Sequence, residues 1–189
     1  MSILTDFVNK WNGKSLLVLP SSINNKRGEC FDVPVAFCDL LGIPNFPDNP
    51  SPFPFQYAYQ IYFNFGTWQA QYFTRVANGL FNSPGPGDIV VFRPGYNGGP
   101  GHTAVATGNS NFWGFEVFSQ NDPLGSNCQI KWYNYGYLQN SGIYGWLHPK
   151  ILDKITDTQF RNMVNEKVET QITDTGFRNY VRELLKNTN

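Results

Sequence analysis

The chain has 189 residues, enough for one globular domain with a sizeable core and at most a small appendage. Fourteen basic residues balance fourteen acidic ones, so there is no global field to recruit nucleic acid or an anionic membrane surface, and neither is expected as a partner. No run approaches the ~20 apolar residues of a membrane span. Aromatic residues make up 16% of the chain and charged ones 15%, which leaves a surface of neutral polar groups and rings suited to sugars or peptides.

In chain order, Leu4, Phe7, Val8 and Trp11 recur at helical spacing, predicting a short amphipathic helix that ends at Gly13. After the apolar Leu16 to Leu19 and a polar turn from Ser21 to Arg27, a second helix is expected from about Cys30 to Leu41. Gly42 closes it, and Pro34 lies near its start, where a missing N–H costs least. Residues 44 to 55 hold five of the thirteen prolines and predict a surface loop. A short helix is expected over Tyr57 to Asn64. Strands follow at Ile89 to Phe92, His102 to Thr107, Gly114 to Ser119, Gln129 to Tyr133 and Ile143 to Leu147, with Gly and Asn clusters between them. Helices first and an antiparallel sheet second is the α+β pattern.

From residue 151 the composition changes, and residues 151–189 are expected to form a separate C-terminal segment after a main domain of residues 1–150. Ile155 to Asn162 is repeated at Ile172 to Asn179, each copy opening on Thr and Asp capping residues and continuing with an apolar stripe. This predicts a short helical hairpin, too small to be stable alone. It is expected to dock on the main domain, on its own kind or on a ligand.

Chemistry concentrates in three places. Cys30, in Gly28-Glu29-Cys30-Phe31-Asp32, is expected at a helix N-terminus, where unpaired N–H groups and the helix dipole would lower the thiol pKa. His102 follows Gly98-Gly99-Pro100-Gly101 at the head of a strand, open to a neighbour. If Gly114 to Asn121 is extended, alternation sets Phe115, Val117, Ser119 and Asn121 on one face and Glu116, Phe118, Gln120 and Asp122 on the other, and Asn121 is selected to orient the imidazole. A thiol nucleophile, an imidazole and an orienting group are the parts of covalent acyl transfer.

Cys38 and Cys128 are assigned to structure, and His148 to a structural or surface role. Two His and three scattered Cys do not make a zinc set, and no cofactor is indicated. Trp68, Trp113, Trp132, Tyr62 and Tyr135 are candidate groove walls or core residues. The odd cysteine count and the polar residues soon after Met1 predict a protein made in a reducing cytosol without a signal peptide.

These motifs resemble the CHAP family, the cysteine, histidine-dependent amidohydrolases and peptidases of phage endolysins and bacterial autolysins. The resemblance covers most of residues 1–150: Phe7-Val8-Asn9-Lys10-Trp11-Asn12-Gly13-Lys14, Glu29-Cys30-Phe31-Asp32, Phe73-Thr74-Arg75-Val76, Pro86-Gly87-Asp88-Ile89-Val90-Val91-Phe92, Gly101-His102-Thr103-Ala104, Gln120-Asn121 and Tyr144-Gly145-Trp146-Leu147-His148-Pro149. It implies a papain-like fold, helices packed on a central antiparallel sheet. It also implies cleavage of an amide in bacterial peptidoglycan, with Cys30 attacking, His102 as base and then acid, and Asn121 orienting. A phage or prophage endolysin, released to act on the cell wall, is the expected setting.

Two departures stand out. Many family members carry Glu where this chain has Ser119, leaving Asn121 alone or another group such as Glu116 to orient the ring. The loop from Ser21 to Arg27, which is acidic in calcium-binding members, has no carboxylate here. A non-catalytic wall-binding protein with a decayed site is the competing expectation. A second is an NlpC-type peptidase that would use His148 as orienter. Amidase and endopeptidase chemistry share the same trio.

Overall fold

The computed structural model describes residues 3–44, 46, 57–79, 82–94, 99–135 and 142–154. The repeat at 155–189 and most of the proline-rich stretch lie outside the described residues. The first helix, α1 (Ile3–Trp11), buries Leu4, Phe7 and Val8 as its spacing predicts, and Phe7 meets Phe37 and Phe118 with ring centroids 5.4 and 5.9 Å apart. The polar stretch read as a turn is instead a short helix, α2 (Pro20–Asn25), opened by a proline in its first turn and closed by Lys26 in the left-handed region. Helix α3 (Asp32–Leu40) carries Val33, Phe37 and Cys38 into the core. Full burial of a side chain such as Phe37 stabilises by roughly 2–3 kcal/mol. Two short helices, α4 (Gln60–Phe63) and α5 (Thr67–Tyr72), lead into the sheet.

Six strands, β1 (Phe73–Ala77), β2 (Ile89–Phe92), β3 (Thr103–Ser110), β4 (Gly114–Ser119), β5 (Gln129–Asn134) and β6 (Ile143–Pro149), form one sheet in the order β1-β6-β2-β3-β4-β5. Every pairing is antiparallel, so the mixed α+β architecture is as expected. The strand not anticipated is β1. It lies at the sheet edge with Thr74, Arg75 and Ala77 exposed, and half-exposed edge strands lack the apolar run that makes a central strand legible. By contrast β2 is buried along its whole length. Ile89 and Val91 join Val105, Phe118 and Leu147 against α1 and α3, while Val90 and Phe92 join a second cluster with Ala104, Ala106, Phe115, Val117 and Tyr133 on the opposite face. No helix among the described residues is long and apolar enough to cross a membrane.

Candidate functional site

Cys30 lies in a turn just before α3, one residue ahead of its N-cap Phe31. The turn is held by Asp32, a fully buried carboxylate. Its Oδ1 accepts the Val18 and Leu19 N–H groups at 2.8 Å each, and its Oδ2 accepts Ser22 Oγ–H at 2.6 Å, Glu29 N–H at 2.7 Å and Gln120 Nε2–H at 3.2 Å. Gln120 comes from the end of β4. Its Nε2 also donates to the Leu16 and Glu29 carbonyls at 2.8 and 2.9 Å, and its Oε1 accepts the Leu16 N–H at 2.9 Å. A Cβ at Gly28 would come within 2.4 Å of Gln120 Nε2, so only glycine lets this amide reach under the Cys30 turn. Asp32 and Gln120 thereby tie the cysteine turn to the sheet.

His102 precedes β3 and is buried. Its carbonyl accepts the Phe92 N–H at 2.9 Å, and its ring packs against Phe92 and Tyr133 with centroids 5.2 and 6.2 Å apart. Gly101, in the left-handed region at φ 74°, brings the chain so close that a Cβ would sit 2.9 Å from the Phe92 carbonyl oxygen. The backbone N–H of Thr103, the residue after His102, is bonded to the Cys30 sulfur, and the N–H groups of Cys30 and Phe31 also face it. The thiol is therefore beside the imidazole-bearing strand.

Electrostatics differ from the sequence expectation. Burial pushes the Cys30 thiol up to about 12, with the Thr103 N–H pulling it down and the Glu29 charge adding to the rise. Proximity to a helix N-terminus does not win, because desolvating a thiolate costs more than three N–H groups return. Burial likewise lowers His102 to about 4, opposed by the Asp122 charge and assisted by Lys131. The resting pair is a neutral thiol and a neutral imidazole.

At the third position the chain leaves the strand before Asn121. Alternation along β4 stops at Ser119, because Asn121 takes φ 62°. Gln120 obeys strand parity and lies on the helix side. The left-handed residue then reverses the chain, so that Asp122 arrives on the face it was not expected to share, with Tyr133 and Lys131. Tyr133 O–H donates to Asp122 Oδ2, and Lys131 Nζ donates to it at 3.0 Å. Burial would raise the Asp122 carboxyl, but hydrogen bonds from Tyr133 and Lys131 and the nearby His102 bring it below its ordinary value. The Asn121 side chain accepts Gly125 N–H at 2.7 Å through the same Oδ1 expected to receive the imidazole proton, and Asn121 N–H bonds the Ser126 carbonyl at 3.0 Å. Of these two residues, Asp122 is the one whose charge acts on the His102 ring.

Ser119 is fully buried and its Oγ has no hydrogen-bond partner among the described residues. Glu116 does not reach in, since its Oε1 accepts Thr107 Oγ1–H at 2.7 Å. His148 is at the other end of the sheet. It flanks Asp88, which precedes β2, whereas His102 adjoins Phe92 at the far end of the same strand, roughly 13 Å away at the rise of an extended chain. Both His148 nitrogens face carboxylates, Asp88 Oδ1 at 2.6 Å and Asp153 Oδ1 at 3.1 Å. That removes it as an orienter of His102. Cys38 and Cys128 are buried, and Cys128 Sγ contacts Gln120 Oε1 at 3.2 Å. Of the aromatic residues named as groove walls, Tyr135 is buried, Trp113 and Trp132 are exposed near the β3–β4 hairpin and edge strand β5, and Tyr62 belongs to a cluster on the His102 side. Among the described residues no group of three or more His, Cys, Asp or Glu could hold a metal ion.

No protein-family profile matches the sequence, and no curated protein matches it. Among solved structures, a crystal structure of the wild-type endolysin LysIME-EF1 is similar to 79% of this chain at 19% identity, with a TM-score of 0.48. The chain spans 65% of the length of that protein.

Proposed function

We propose that the protein is a cysteine-dependent peptidoglycan hydrolase of the endolysin kind, with a papain-like catalytic domain that cleaves an amide bond of stem peptide or cross-bridge. The observation that carries this is the seating of Cys30 against the Thr103 N–H, next to His102, with the Asp122 carboxylate acting on the imidazole. The order and spacing of the CHAP-like motifs supply the substrate class.

In this reading the substrate carbonyl lies over the Cys30 turn. His102 takes the thiol proton as sulfur attacks the carbonyl carbon, and the N–H groups of Cys30 and Phe31, which face the sulfur at rest, turn to the developing oxyanion beside it, a contribution on the order of 3 kcal/mol per donor. His102 returns the proton to the leaving amine nitrogen as the C–N bond breaks, giving a thioester. Water, deprotonated by His102, then attacks the thioester, and the proton passes back to sulfur as the acid leaves. Because thiol and imidazole start neutral, Asp122 acts by stabilising the imidazolium that forms only during reaction. Asn121 shapes the turn that delivers this carboxylate.

The carboxylate at Asp122 answers the departure at Ser119, and so the catalytic reading is preferred to a decayed wall-binding domain. Turbidity loss of bacterial wall suspensions with wild type and Cys30→Ala tests it. Lysis by the wild type and none by the variant is expected. Equal lysis by both, or none by a folded wild type on any wall chemistry, overturns the proposal.

A further inference from the structure

Beside His102 lies a row of rings and guanidinium groups that the catalytic chemistry does not use. Ala58 N–H bonds the Pro100 carbonyl at 3.0 Å, and Tyr59 Cβ stands 3.5 Å from where a Cβ on Gly101 would be. Residues 57–59 are thus fixed against the loop that carries His102. Tyr57 stacks on Tyr59 with centroids 5.7 Å apart and planes 6° from parallel. Tyr59 continues edge-on to Phe63, and Phe63 meets Tyr144 at 4.5 Å. Tyr57 is 43% exposed and Phe63 53%, so these two rings are open to solvent while Tyr59 and Tyr62 pack against the core beneath them.

Two cations flank it. Arg75 lies over the Tyr62 ring at 5.4 Å and donates Nη1–H to the Tyr62 carbonyl at 3.0 Å. Arg93 lies over the Tyr144 ring at 5.0 Å and donates Nε–H to the Ile143 carbonyl at 3.4 Å. Among the described residues the ion pairs are those of Lys131 and His148, and neither arginine has a carboxylate partner. Each guanidinium has five N–H donors, so most remain available. A ring row alone would suit a saccharide, but that occupant would make no use of the two positioned cations. A peptide with free carboxylates and small aliphatic side chains satisfies both features, since planar guanidinium groups match carboxylates bidentately.

We infer that this row is the subsite for the anionic peptide portion of the substrate, its carboxylates taken by Arg75 and Arg93 and its apolar groups resting on Tyr57 and Phe63. The inference rests on the hydrolase reading above. It adds a preference: free carboxylates on the stem peptide would be favoured over amidated ones.

The test uses the full chain carrying Cys30→Ala, so that ligand is not consumed, and two synthetic stem peptides identical except that the carboxylates of one are amidated. By calorimetry the free-acid peptide is expected to bind about tenfold tighter than the amidated one. Adding Arg75→Gln and Arg93→Gln should abolish that difference while leaving the amidated peptide's Kd unchanged. Arg75→Lys, which keeps the charge and is the variant of choice should the glutamine pair fail to fold, should fall between. Equal affinity for the two peptides, or full discrimination in the Gln or Lys variants, overturns the inference, as does binding of a peptide-free glycan polymer that responds to Tyr57→Ala when neither peptide binds. Lysis by the wild type that Cys30→Ala abolishes, together with no discrimination between peptides, would leave the hydrolase reading standing and sink the subsite alone.

Discussion

Replacing Asp32 by Asn keeps the shape of the side chain and removes one acceptor oxygen and the charge. Five donors converge on this carboxylate, two backbone N–H groups on Oδ1 and Ser22, Glu29 and Gln120 on Oδ2. Whichever way the new amide is turned, its NH2 faces at least two donors that cannot rotate away: Val18 and Leu19 N–H on one side, Glu29 N–H and the tethered Gln120 amide on the other. Ser22 can turn its hydroxyl to accept. Asp32 is fully buried, so water does not replace the lost bonds. Two hydrogen bonds to a charged group are each worth about 1.5–3 kcal/mol, and the loss should be about 3–6 kcal/mol, a large share of a typical stability of roughly 5–15 kcal/mol. Urea unfolding followed by tryptophan fluorescence measures it. Because Glu29 adjoins Cys30, the proposed nucleophile, the lytic rate under folding conditions should also fall, through misplacement of its sulfur. A loss below about 1 kcal/mol with unchanged activity would refute the view that Asp32 organises the cysteine turn.

At the orienting position, Asp122→Asn should lower kcat by about 10²–10⁴ while Asn121→Ala costs less than about tenfold, measured on a soluble muropeptide; the reverse order would restore the orienting role to Asn121 alone. With the thiol pushed up to about 12, alkylation of Cys30 by iodoacetamide should climb about tenfold per pH unit from 7 to 10, with Cys30→Ala as blank, and a plateau beginning below pH 8 would show a preformed thiolate. Stability should respond to both histidines in opposite senses. Folded His102 titrates at about 4 against 6.5 unfolded, so its contribution is present above 6.5 and is lost by about 3 kcal/mol as pH falls to 4. Folded His148, held by Asp88, titrates at about 8, so its contribution is full below 6.5 and disappears as pH rises through 8; urea midpoints across pH 4–9 should peak between, and His148→Gln should remove the alkaline decline.

Several elements were legible from spacing alone. The apolar stripe of α1 and the β-branched run of β2 announce themselves because burial of one face imposes a period, and Gly42 marks the end of α3 because a left-handed residue is needed there. The polar 20–25 segment hid a helix, since nothing apolar repeats in it, and β1 hid because its edge position leaves Arg75 and Thr74 exposed. Within the candidate site, residue order pointed to Cys30 and His102. Asp32 and Gln120 stood inside the quoted motifs, yet their roles depend on donors 13 to 104 residues away in sequence, between Asp32 and Leu19 or Gln120 and Leu16. Asp122 was assigned to the wrong face because alternation was carried three residues past the strand's end, through Asn121 at positive φ.

The sequence by itself determined the α+β order of elements, the candidate nucleophile and base, and the balance of charge, all of which follow from local periodicity and residue chemistry. Only the tertiary structure decided that the thiol and imidazole rest neutral, that the carboxylate acting on His102 is Asp122, and that the arginines flanking the ring row have no acidic partner among the described residues. Those properties are sums over neighbours brought together by the fold, the burial of a sulfur by a distant strand or the reversal of a face by one left-handed residue, and no local stretch of chain contains them.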